Sequence, residues 1–164
     1  MIIRTATPAD AGPIAALIAS FQPMLTVDPS GAGAEAFLAS VSESAERDYL
    51  SSPRYLFLVA ERNADLAGFI ALRDRTHLFH LFVARPHQRS GLARALWHAA
   101  RARAMEKHVG AEVIFTVNAS ANAVAVYRAF GFRPDGDLVE SDGIRFLPMR
   151  LAFGVAPGLE GQSP

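Results

Sequence analysis

The twelve residues Val83-Ala84-Arg85-Pro86-His87-Gln88-Arg89-Ser90-Gly91-Leu92-Ala93-Arg94 join an apolar run to a helical pattern, and their chemistry decides how the chain is read. The run before them, His77-Leu78-Phe79-His80-Leu81-Phe82-Val83, has the aromatic and branched content of a strand. Residues 91–105 follow with Leu92, Leu96, Ala99 and Ala102 on one helical face. Gly91 and Ala93 are small enough to let the main chain approach a ligand. The N–H groups of a first helical turn lack intrahelical partners and carry roughly half a positive charge. Arg89 and Arg94 add full charges beside them, so the turn reads as an anion site.

Charge supports that reading. Lys plus Arg number 16, as do Asp plus Glu. Arg85, Arg89, Arg94, Arg101, Arg103 and Lys107 crowd into one interval, and no carboxylate occurs from Arg75 through Met105. The competing reading is a solvated basic helix face. A dinucleotide fingerprint and a phosphate loop fit less well, because neither Gly-x-Gly-x-x-Gly nor Gly-Lys-Ser/Thr is present.

Working outward, Ile2-Ile3-Arg4 is a strand candidate, and Thr7-Pro8 with Asp10 opens a helix carrying Ile14, Leu17, Ile18 and Phe21 at helical spacing. Residues 22–33 hold Pro23, Pro29, Gly31 and Gly33 and read as a loop, with a helix over residues 37–50. Residues 55–60 and 66–72 are apolar runs around a polar loop, a hairpin. Residues 113–117 are a β-branched strand, residues 121–130 a short helix ending at Gly131 in a left-handed cap, and residues 138–147 a hairpin turning at Asp142-Gly143. This is an α/β chain with a mixed sheet. One domain over residues 1–151 and a frayed Gly- and Pro-rich tail over residues 152–164 are expected.

With 51% hydrophobic residues and no cysteine, the chain can fill a core without disulfides. Zero net charge gives no general pull toward nucleic acid or membrane. No run approaches the length of a membrane span, and the first ten residues lack signal-peptide character, so a cytoplasmic location is expected. No His, Asp and Glu cluster has metal-ligand spacing.

The segment Gln88-Arg89-Ser90-Gly91-Leu92-Ala93 resembles the acyl-CoA signature Q/R-x-x-G-x-G/A of the GNAT N-acetyltransferase superfamily. The resemblance continues through Val117-Asn118-Ala119-Ser120, Tyr127 and Phe130-Gly131-Phe132, the opening residues 3–11, and Gly143-Ile144-Arg145-Phe146-Leu147-Pro148-Met149. It implies a mostly antiparallel sheet, flanked by helices and splayed at a slot for pantetheine walled by residues 77–83 and 113–117. It further implies an acetyl-CoA-dependent N-acetyltransferase that passes the acetyl group directly to a primary amine of a small molecule or peptide in a ternary complex. A non-catalytic acyl-CoA-binding or sensing module of the same fold is the alternative, and a homodimer is compatible with the resemblance.

Residue by residue, the resemblance implies that the main chain of Leu81, Phe82 and Val83 meets pantetheine. Gln88, Arg89, Ser90, Gly91, Leu92, Ala93 and Arg94 would hold the phosphates. Asn118 and Asn122 would contact the cofactor, with helix capping as their alternative, shared by Ser120. Tyr127 would be the general acid, its alternative being a core tyrosine. Many relatives carry a glutamate where this chain has His77. A strict alternation of side chains would set His77 on the face of Phe79, Leu81 and Val83, about 13 Å along the strand from Leu81, with His80 on the other face. His77, as an imidazole able to accept a proton at neutral pH, is the candidate base acting through water. His80, and deprotonation of the amine by solvent, are its competitors. The acceptor is expected between residues 21–50 and the hairpin around Phe146.

Overall fold

A computed structural model describes residues 1–108 and 110–154. Strand β1 (Ile2–Thr5) leads through a turn at Pro8–Asp10 to helix α1 (Ala11–Ala19). Three short helices follow: α2 (Gln22–Leu25), α3 (Glu35–Ser40) and α4 (Glu43–Leu50). The hairpin β2 (Tyr55–Arg62) and β3 (Asp65–Arg73) and the strand β4 (His77–Val83) precede the long helix α5 (Leu92–Met105). Strand β5 (Val113–Ala119), helix α6 (Val124–Ala129) and strands β6 (Arg133–Pro134), β7 (Val139–Ser141) and β8 (Ile144–Phe153) complete the described chain. None of its helices is long and apolar enough to cross a membrane.

The sheet order is β1-β2-β3-β4-β5-β8-β6, with β7 on β8. Every adjacent pair is antiparallel except β4 with β5. Helix α5 covers one face, burying Leu92, Leu96, Trp97 and Ala100 against Ile70, Leu72, Leu78 and Phe115. Helix α1 covers the other with Ile14 and Ile18, over Phe57, Val59 and Phe69, joined there by Tyr49 and Leu50 of α4. The buried face of α5 is rotated from the expected one: Trp97 and Ala104 are inside and Ala102 is exposed.

Other expectations need correction. The helix read over residues 37–50 is two helices, because the chain turns at Val41 and Ser42 caps α4 by accepting a hydrogen bond from the Ala45 N–H at 3.2 Å. The expected loop over residues 22–33 begins with α2. Strand β8 runs through Phe153, two residues past the expected end of the domain, and the rest of the expected tail, residues 155–164, lies outside the described residues. Gly131 takes the expected left-handed conformation, φ 101°.

The N-terminal turn is tied to the sheet edge by charge. Arg4 donates to both oxygens of Asp10 at 2.9 and 2.8 Å and to Glu61 at 2.6 Å, while Asp10 also accepts from the Thr7 N–H at 2.7 Å. The Arg4 guanidinium holds the Asp10 carboxyl below the usual carboxylate range. Asp10→Ala should therefore lower unfolding free energy by about 1–2 kcal/mol, mostly through the lost cap. Since the folded pKa is depressed, this contribution is present above the unfolded pKa and fades as pH falls through the folded one. Denaturant titrations of both proteins should converge in acid.

Candidate active site

Strands β4 and β5 run parallel and pair only at His77 with Thr116 and Leu78 with Val117. Beyond that point they separate. The slot is therefore walled by the part of β4 after Leu78 and the end of β5 from Asn118, not by residues 113–117, which lie on the closed side of the splay. Among the described residues, one edge of β4 over residues 79–83 faces no strand, the other being paired with β3. An extended chain with amides could pair there as an added strand does.

A cavity of about 710 Å³ opens at this splay. Leu81, Phe82 and Val83 line it, as do Gln88, Arg89, Gly91, Leu92, Ala93 and Arg94, and Asn118, Asn122 and Tyr127. His77 lines it too, so every expected site residue except Ser90 meets at one opening. The Ser90 hydroxyl donates to the His87 carbonyl at 2.5 Å, within the turn. Gln88 Nε2 donates to the Val83 carbonyl at 3.1 Å, fastening the turn to the end of β4.

Gly91 is left-handed, φ 82°, at the N-cap of α5, and Arg89 is left-handed too, φ 58°. This backbone turns sharply into a helix whose first internal hydrogen bond runs from Ala95 N–H to the Gly91 carbonyl, 3.0 Å. The N–H groups of Leu92, Ala93 and Arg94 stand outside that ladder. Arg94 is held across the cavity edge, over the Phe130 ring at 5.3 Å and donating to the Ala129 carbonyl at 3.4 Å. The cationic cluster of the sequence is dispersed in space: Arg101 lies on Phe153 and Trp97, Arg103 reaches Thr5, and Arg85 lies over Phe21. Of these six cations only Arg89 and Arg94 border the cavity.

Tyr127 is 6% exposed. Burial pushes its phenol well above the ordinary range, which favours the protonated form. Capping does not account for the asparagines: Ala123 is the N-cap of α6, without a side-chain cap bond, and Asn122 instead accepts from the Ser120 hydroxyl at 2.9 Å.

The alternation assumed for β4 fails. Ala71 pairs with His80 and Leu72 with Leu78, so Phe79 is an extra residue, a bulge. The bulge reverses side-chain parity. Leu78, Leu81 and Val83 pack toward α5, whereas Phe79 and Phe82 pack toward α1 and α4. His80 joins the latter side, its ring near those of Phe57, Phe69 and Phe82. His77 is also on that side, hydrogen-bonded through Nδ1 to the Thr116 hydroxyl at 2.8 Å. It therefore does not share a face with Leu81. Burial first, then the nearby Arg73, lowers the His77 pKa.

Sequence reasoning missed Glu46. It is fully buried on α4, and Oε1 lies 2.8 Å from His80 Nε2. Its position three and four residues before Tyr49 and Leu50, on the inward face of α4, was the available signal. Phe21, Leu25, Phe37, Phe79, Ile144 and Phe146 give the cavity an apolar lining, most of it from residues 21–50 and the hairpin around Phe146, between which the acceptor is expected. No Asp or Glu lines the cavity among the described residues.

Known proteins resemble this chain in sequence and fold. The acetyltransferase (GNAT) domain family matches residues 25–153. Human N-acetyltransferase 8 is 31% identical over 99 residues, 55% of this chain and 44% of the human protein, so the chain spans less than half the length of that relative. An N-acetyltransferase from Thermoplasma acidophilum, solved in complex with coenzyme A, superposes with a TM-score of 0.69 at 17% identity, covering 93% of this chain and 98% of its own. A GCN5-related N-acetyltransferase structure from Rhodopseudomonas palustris gives 0.70 at 22% identity, covering 93% of this chain and 95% of its own. With the splayed sheet, the left-handed Gly91 turn and a family match over most of its length, the chain belongs to the GNAT acetyltransferase family.

Proposed function

We propose that the protein transfers an acetyl group from acetyl-CoA directly to a primary amine in a ternary complex. The observation that carries this reading is the single cavity joining the α5 turn, the free edge of β4, Tyr127 and an apolar lining. The phosphates sit on the N–H groups of the first α5 turn beside Arg89 and Arg94, and pantetheine amides pair with β4 over residues 81–83. A main-chain N–H near Leu81 polarises the thioester carbonyl. The amine attacks that carbon, and Tyr127 donates to the departing sulfur. The chain has no cysteine for a thioester intermediate. Use of acyl-CoA agrees with the cytoplasmic location expected from the sequence.

The lining also bears on the acceptor. Aromatic side chains with no carboxylate favour an apolar amine carrying one positive charge and disfavour a polycation, whose ammonium groups would be desolvated unpaired. Release of free thiol from acetyl-CoA across an amine panel tests both statements. Arylalkyl amines should exceed spermidine in kcat/KM by about tenfold or more. Tight acetyl-CoA binding with no thiol release for any amine would favour the non-catalytic module.

A further inference from the structure

We infer that His80 is the base that takes the proton from the acceptor amine, with Glu46 as the positioning residue that holds its imidazole ready. The inference rests on the acetyltransferase reading above and supplies a part that reading lacks. The cavity wall has no carboxylate among the described residues, yet a wholly buried one stands directly behind it. Glu46 does not itself line the cavity, but it contacts His80, which lines the wall and is 7% exposed.

Three features set this pair apart from a packing contact. The bulge at Phe79 turns His80 away from α5 and toward α4, where regular alternation would have kept it from Glu46. Glu46 Oε2 has no partner among the described residues, so the carboxylate is held in an apolar place for one hydrogen bond. With Glu46 as the carboxylate, its oxygen accepts, and the tautomer that fits the 2.8 Å contact has hydrogen on His80 Nε2 and a lone pair on Nδ1, the arrangement that lets an imidazole receive a proton. Phe57, Phe69, Phe79 and Phe82 fix the ring from the sides. Other charged or titratable groups on this face among the described residues include Tyr49 of α4, Tyr55 of β2, Arg73 of β3, His77 of β4 and, farther out over Phe21, Arg85. In the described residues Glu46 alone among them bonds His80.

The protons balance. The acceptor ammonium gives one proton to His80 Nδ1, and the freed nitrogen lone pair forms the C–N bond as the C–S bond breaks. Tyr127 gives its proton to the sulfur and regains one from the new amide nitrogen. His80 then releases its proton to solvent, leaving an amide, a thiol and one proton.

The test pairs two nucleophiles of one shape, 2-phenylethylamine, which is largely protonated at pH 7, and O-benzylhydroxylamine, which is not. His80→Ala should lower kcat/KM for 2-phenylethylamine by about thirtyfold or more and for O-benzylhydroxylamine by less than about threefold. Glu46→Gln should shift the same ratio in the same direction by about tenfold, with acetyl-CoA Kd unchanged in both variants. Nitrogen-15 spectra of the wild type should show His80 with hydrogen on Nε2 and a bare Nδ1, a preference weakened in Glu46→Gln. Equal losses with both nucleophiles, no loss, or a proton resident on Nδ1 at pH 7 would overturn the base assignment alone. Wild-type protein that binds acetyl-CoA but releases no thiol with either nucleophile would overturn the transferase reading, and the base role with it.

Discussion

Tyr127→Phe is expected to lower kcat by about 10²- to 10⁴-fold while leaving acetyl-CoA Kd within about threefold. The substitution removes one oxygen and keeps the ring. Tyr127 packs edge-on against Phe130 and Phe132, with ring centroids 6.2 and 5.7 Å away, and phenylalanine preserves both contacts. What is lost is the phenol, a proton donor in a cavity whose other polar lining is arginines, histidines, side-chain amides and the serines Ser40 and Ser120. Because burial raises the phenol above its ordinary range, the donor stays protonated. The alkaline side of the kcat profile should stay flat through the ordinary tyrosine range. Pre-steady-state thiol release with calorimetric Kd values separates the two quantities. Wild-type kcat in Tyr127→Phe would remove the residue from the mechanism, and equal loss of kcat and affinity would make it structural.

The double substitution Arg89→Ala and Arg94→Ala should weaken acetyl-CoA binding by about 10²-fold at low salt, and by less as salt rises. Each guanidinium is exposed, which holds the estimate to the low end for charge-assisted phosphate bonds. Arg94 is already fixed by Phe130 and the Ala129 carbonyl, so little ordering is needed when it meets a phosphate. S-acetylpantetheine lacks the nucleotide phosphates. Its kcat/KM should change by less than about threefold in the same variant. A comparable loss with both donors would mean that the two arginines shape the turn rather than bind phosphate.

Much of the molecule was legible because it is local. The left-handed conformation of Gly131 follows from glycine at the end of a helical pattern, and the hairpin at Asp142-Gly143 from its turn residues. The apolar runs that became β2, β3, β4 and β5 were each visible by composition alone. The two helices α3 and α4 were not separated, because one apolar pattern spans a break whose cue is the Ser42 cap.

The orientation of β4 was illegible for a different reason. Alternation along a strand is reliable only while the register holds, and one extra residue sends every later side chain to the opposite face. The bulge at Phe79 arises from pairing with β3, a neighbour that the residues of β4 do not specify by themselves. It put His77 and Leu81 on opposite faces and brought His80 to the same face as His77.

By itself, then, the sequence determined the strand, turn and helix around Gly91, the arginines at its mouth and a tyrosine on α6, since backbone preference and charge spacing act over a few residues. Tertiary structure alone decided which histidine meets a carboxylate. Glu46 and His80 are 34 positions apart, on a helix and a bulged strand, and their contact exists only once α4 has packed on the sheet.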